Sequence, residues 1–163
     1  MIQRRTLLGL AALGLSACGF ELRRAPELHF KTLQLAGFKA HSPLAGELRR
    51  SIASSTTTRV VEAASQAEVV LVAIADSRDK GVVTSTTAGQ VREVQLRSRL
   101  NFRVHTPAGK ELIAPTEIAL SRDMTYNERD ALAKEQEEEL LYRGMQSDIA
   151  AQVLRRLAAL QTL

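Results

Sequence analysis

Val94-Gln95-Leu96-Arg97-Ser98-Arg99-Leu100-Asn101-Phe102-Arg103-Val104-His105 alternates residue by residue. Val94, Leu96, Leu100, Phe102 and Val104 fall on one parity, with Ser98 between them, and Gln95, Arg97, Arg99, Asn101, Arg103 and His105 on the other. Successive side chains of a strand point to opposite faces, so this period of two predicts a half-buried strand with a charged outer face. Thr106-Pro107-Ala108-Gly109-Lys110 is a short turn containing glycine, and Glu111 to Met124 returns as the partner strand of a hairpin. Pro115 cannot donate to a ladder and places the returning strand at a bulge or an edge.

Upstream, Val69-Val70-Leu71-Val72-Ala73-Ile74 is short, β-branched and continuous, within a strand candidate running from Ala67 to Ala75. This texture suits a strand covered on both faces, or nearly so. Asp76 to Lys80 is polar, and Gly81 is expected to turn the chain. Earlier still, Thr32 to Leu35 reads as a short strand after an irregular lead from Gly19 to Lys31. Ser42-Pro43 is a helix start, with serine as cap and proline pre-set for the first helical position. Leu44, Leu48 and Ile52 then recur every fourth residue until the Ser/Thr run Ser54 to Thr58.

Downstream, Thr125-x-x-Glu128 fits a capping box, and Asn127 offers a second cap. No proline follows as far as Leu160, and only Gly144 weakens the helix. Leu141, Met145, Ile149, Val153, Leu157 and Leu160 form its apolar stripe. About thirty residues would span on the order of 50 Å. Glu128 and Asp130 at its start and Arg155 and Arg156 at its end agree with the helix dipole. The expected fold is α+β: a single small mixed sheet of about four strands with two helices packed on one face, in the order strand-helix-strand-strand-strand-helix.

The N-terminus has a different logic. Arg4-Arg5 precedes a run from Thr6 to Leu15 that is apolar but for Thr6, and Leu15-Ser16-Ala17-Cys18 closes it with small residues before a cysteine. That is the layout of a secretory signal peptide, too short to span a bilayer. The final four residues resemble the lipobox of bacterial lipoproteins. The resemblance implies residues 1–17 as a cleaved leader, residues 18–163 as one periplasmic domain, and Cys18 as the lipidated N-terminus. Multiple acyl chains make such an anchor stable. Gly19 rather than aspartate follows Cys18, which favours the outer membrane.

Cys18 is the one cysteine in 163 residues, so once acylated it leaves no disulfide and no thiol nucleophile. With 45% hydrophobic residues the domain can build an ordinary core. Of the net charge of +4, Arg4 and Arg5 supply 2, leaving +2 on the mature chain. So weak a bulk charge on an exported protein argues against nucleic acid as a partner.

No catalytic constellation emerges, and no enzyme activity is expected. There is no Gly-x-Ser-x-Gly elbow and no phosphate-cradling glycine loop, which leaves a lipid-anchored hydrolase without a nucleophile and base. His29, His41 and His105 are scattered and lack metal-ligand spacing. Glu135, Glu137, Glu138 and Glu139 read as a solvated helix face. No metal or other cofactor is expected. Arg97, Arg99 and Arg103, preceded by Arg92, form a basic stripe that could hold phosphate, but pattern alone favours the polar face of an antiparallel strand.

Two stretches carry a family resemblance. Cys18-Gly19-Phe20-Glu21-Leu22-Arg23 resembles the Cys-Gly-aromatic-x-Leu-Arg start of LptE, the lipopolysaccharide-assembly lipoproteins. Ser121-Arg122-Asp123-Met124-Thr125-Tyr126-Asn127, with Ala131-Leu132-Ala133-Lys134-Glu135 and Arg155-Arg156-Leu157, resembles that family's passage from last strand into C-terminal helix. The resemblance implies a small sheet with two helices. It also implies an outer-membrane lipoprotein that sits inside the barrel protein LptD as plug and assembly aid, binds lipopolysaccharide and helps deliver it to the outer leaflet. The alternative is a generic outer-membrane lipoprotein scaffolding another envelope complex.

One family base linked with lipopolysaccharide matches Lys134. The other precedes a Gly-Gln, here Gly89-Gln90, and its position is occupied by Thr87, which has no charge. Arg92 is the nearby substitute, so Lys134 and Arg92 are the candidate contacts to lipid A phosphate.

Overall fold

The computed structural model describes residues 27–54 and 57–160. The leader, Cys18 and the Cys-Gly-aromatic motif lie outside these. The elements are β1 (Thr32–Ala36), α1 (Pro43–Ala53), β2 (Arg59–Val61), β3 (Val69–Ser85), β4 (Val91–His105), β5 (Glu111–Thr125) and α2 (Ala131–Ala158). One mixed sheet has the order β2-β1-β3-β4-β5. β1 pairs in parallel with β2 and β3, and β3-β4-β5 is an antiparallel meander.

The expected α+β architecture is present, with five strands rather than about four. The additional strand, β2, is 3 residues long and packs at the edge beside β1. Arg59-Val60-Val61 is too short to show a period, and only its parallel partner makes it a strand.

β4 carries the core as its alternation requires. Leu96, Leu100, Phe102 and Val104 are fully buried, whereas Arg97, Arg99 and Arg103 on the other parity are exposed. Burying each such apolar side chain contributes about 1.5–3 kcal/mol. α1 adds Leu44, Leu48 and Ile52, and α2 adds Ile149, Val153 and Leu157. Leu28 and Phe30 of the lead segment insert into the same core. Ser42 caps α1 as expected, accepting from the Ala45 N–H at 3.1 Å, and its hydroxyl donates to Asp76 Oδ2 at 2.6 Å.

The largest departure from expectation is in β3. Gly81 does not turn the chain: it lies within a 17-residue strand and pairs with Gln95. The turn comes later, at Thr86–Gln90, where Gly89 adopts φ +79°. The register shifts between Ala73 and Ala75, leaving Ile74 as an extra residue that is 51% exposed. Such a bulge inverts the side-chain parity of everything beyond it. Val69, Leu71 and Ala73 face the core before the bulge, whereas Asp76, Arg78 and Lys80 are paired with the inward β4 residues after it. The expected two-sided cover of this strand therefore ends at Ile74.

Pro115 lies on the edge strand β5, within an irregular stretch of register between Phe102 and Val104, as its missing N–H requires. The start of α2 also differs in detail. Asn127, not Thr125, provides the cap, accepting from the Arg129 N–H at 3.1 Å, and a 3₁₀ turn at Glu128–Asp130 leads into the helix.

Two glycines predict opposite outcomes. Gly37 has φ +77°, and a Cβ there would collide with the Ala73 carbonyl beside the bulge. Gly37→Ala should therefore lower unfolding free energy by about 2 kcal/mol or more. Gly144 is on the exposed face of α2 with open space around it, so Gly144→Ala should raise it by about 0.5–1 kcal/mol. Urea denaturation of both variants checks the pair of signs.

Candidate functional site

The far end of the meander, beyond the bulge, gathers the cations singled out in the sequence. Lys134, in the first turn of α2, extends its ammonium to Thr125 Oγ1 at 3.1 Å and to Glu137 Oε2 at 2.8 Å. Its side chain is only 18% exposed. Arg92, near the start of β4, accepts the Tyr126 N–H on its carbonyl at 2.8 Å. Thr125 and Tyr126 are consecutive, so this one corner of the sheet brings Lys134 and Arg92 to the same end of the molecule. Thr87 lies exposed in the neighbouring Thr86–Gln90 turn and contributes no charge.

Their situations differ. Lys134 is partly neutralised by Glu137, and an arriving anion must compete with that carboxylate. The pair is a near-surface i,i+3 contact, of the kind that contributes about 0.2–1 kcal/mol. Arg92 is exposed and borders a polar cleft of about 310 Å³ that also takes in Gln90, Val91, Asn127, Glu128 and Arg129.

Beneath α2, the inverted parity of β3 places two further cations that the sequence reading did not single out. Lys80 pairs with Glu138 at 2.6 Å and lies 5.5 Å from the Tyr126 ring centroid. Arg78 lies 5.1 Å from the centroid of Tyr142, and reaches Glu139 at 3.6 Å. Gln146 is buried, and its amide oxygen is assigned toward Arg78 because the opposite orientation sets donor against donor. No sequence signal marked these residues, because the bulge that turns them inward leaves no trace in the composition of β3.

Tyr142 closes this layer, its hydroxyl donating to the Asp79 carbonyl at 2.9 Å. Burial first, and then the charge of Glu138, push its phenol above the ordinary value of 10.0.

Two members of the arginine stripe are engaged along the strand surface. Arg97 Nε donates to Gln95 Oε1 at 2.7 Å. Arg99 pairs with Asp79 at 2.7 Å, which holds its guanidinium above the ordinary value through that hydrogen bond and the carboxylate charge. Among the described residues no group of three His, Cys, Asp or Glu is placed to hold a metal. No described helix is long and apolar enough to cross a membrane.

The fold and this arrangement can be set beside known proteins. The lipopolysaccharide-assembly family LptE matches residues 30–157, which takes in every strand and nearly all of α2. The chain belongs to the LptE family. An LPS-assembly lipoprotein LptE of Photorhabdus laumondii is 31% identical over 93% of this chain and 82% of its own length. The LptE of Yersinia pestis is likewise 31% identical, over 93% of this chain and 73% of its own. Among solved structures, a lipoprotein B from Nitrosomonas europaea superimposes with a TM-score of 0.72 at 33% identity, covering 86% of this chain and 91% of that one. The rare lipoprotein B from Shewanella oneidensis gives 0.65 at 30% identity, covering 79% and 95%. Membership of the LptE family assigns the chain a role in lipopolysaccharide assembly at the cell envelope.

The buried tyrosine provides a direct check of the layer under α2. The chain has 2 tyrosines, so Tyr126→Phe leaves Tyr142 as the sole phenol. Its absorbance titration should have a midpoint above 10. Because the folded value is raised, its stabilising contribution is complete below the unfolded value and declines as pH climbs through the folded one. A midpoint at or below that of free tyrosine would contradict the packing.

Proposed function

We propose that this chain is an outer-membrane lipoprotein, tethered by acyl groups on Cys18 after removal of residues 1–17. In this reading it forms a complex with the barrel protein LptD. It serves there as plug and assembly aid, binds lipopolysaccharide and helps deliver it to the outer leaflet. Lys134 and Arg92 contact the phosphates of lipid A.

The observation that carries the reading is the convergence of Lys134 and Arg92 at one end of the sheet through the Thr125–Tyr126 corner. Charge-assisted contacts to phosphate are among the stronger polar interactions, and two elements supply them here. Family membership supports the envelope role. The relatives from Photorhabdus laumondii and Yersinia pestis bear the name LPS-assembly lipoprotein. The outer face of β4, polar and uncovered by any helix, suits the polar interior of a barrel. No group in the site is arranged for bond chemistry, and the proposed work is binding and positioning.

Lipopolysaccharide pull-down at low salt tests the contact. Lys134→Glu replaces a cation with an anion beside Glu137 and should reduce retention by on the order of tenfold or more. Purification of the full chain from membranes should bring LptD with it. Unchanged retention would remove Lys134 from the site, and recovery of a different envelope complex without a barrel would favour a scaffold of another assembly.

A further inference from the structure

We infer that Arg129 joins Arg92 in a seat for the phosphate of a phosphorylated lipid. The inference rests on the lipopolysaccharide reading above and assigns a residue beyond it.

The cleft of about 310 Å³ at this end is lined by both Arg92 and Arg129. They come from elements distant in sequence and are brought together by the Tyr126 N–H bond to the Arg92 carbonyl. Neither guanidinium has an ion pair or a side-chain hydrogen bond among the described residues. That separates them from Arg78, Lys80, Arg99, Arg122 and Lys134, each of which has a carboxylate partner. Of the acids next to them in sequence, Asp130 accepts from Asn127 Nδ2 at 3.1 Å and Glu93 accepts from Thr84 Oγ1 at 3.2 Å. Asn127 Oδ1 in turn receives the Arg129 N–H, which fixes the backbone from which the guanidinium projects. Two uncommitted guanidiniums facing one polar cleft offer the planar, multi-donor geometry that phosphate accepts.

Glu128 lines the same cleft and opposes an anion. Its charge weakens the seat without cancelling it, because two cations face one carboxylate. The surroundings select a lipid over free phosphate. On the hairpin that bears Arg92, Val82 is 61% exposed and Val83 is 54% exposed, and Val91 lines the cleft itself. Exposed apolar residues on the hairpin that also carries the cationic seat match an amphiphile with a phosphorylated head.

The test measures binding by the detergent-solubilised full chain to three probes: lipid A, lipid A with both phosphates removed, and inorganic pyrophosphate. Arg92→Gln and Arg129→Gln should each lower affinity for lipid A on the order of tenfold, and Glu128→Gln should raise it about threefold. Arg129→Lys should recover part of the loss. The dephosphorylated lipid should bind weakly and be indifferent to all three glutamine variants. Thermal melting of these surface variants should match that of the parent.

Undiminished lipid A binding by both arginine variants, with Lys134→Glu still weakening it, would overturn the cleft while leaving the broader reading intact. Undiminished binding in all three would overturn both. Pyrophosphate binding as tight as lipid A would overturn the assignment to a lipid.

Discussion

The extra residue at Ile74 is the constraint on which the rest of the molecule depends. β3 is longer than the core it helps to build. Up to Ala73 its inward side chains are apolar and meet α1 and the C-terminal half of α2. Past the bulge the inward positions belong to Asp76, Arg78 and Lys80, and the layer under α2 becomes polar. Gly37 fits against Ala73 at the changeover because no other residue leaves room for its carbonyl. The result is a sheet with an apolar end and a polar end on the same face. At that polar end a smaller cluster of Val94, Leu96, Met124, Tyr142 and Met145 is buried beneath the cations.

That division explains where recognition can occur. The apolar end is closed by two helices and the lead segment. At the polar end most cations are committed to carboxylates on α2, which fixes the helix across the sheet. These pairs are partly exposed, so each contributes modestly, and their value lies in orientation more than in stability. Cations left over after this pairing are the ones available to an outside anion. Lys134 is half committed, whereas Arg92 and Arg129 are uncommitted.

Much of this was legible in the sequence, and the exceptions have physical causes. β4 could be read directly, because one of its faces is buried from Val94 to Val104 and its period is unbroken there. The stripe Met145, Ile149, Val153 and Leu157 was equally plain, and all four are fully buried. β3 was misread beyond Ala75, since a bulge changes parity without changing residue type, and a polar run ending in glycine looks like a turn. β2 was missed because a 3-residue parallel edge strand has no pattern of its own. At the site, Lys134 and Arg92 were found through family resemblance and a nearby charge. Arg129 is one polar residue among several in a helix start, and only the fold brings it to the same cleft as Arg92.

The central claim is that this domain supports a lipopolysaccharide-exporting barrel and is needed for it. Depletion in the native bacterium, followed by electrophoresis of the barrel protein and surface labelling of lipopolysaccharide, tests it most directly. The account predicts a misassembled barrel and lipopolysaccharide lost from the cell surface, both restored by the full chain. A correctly assembled barrel with normal surface lipopolysaccharide after depletion would contradict it.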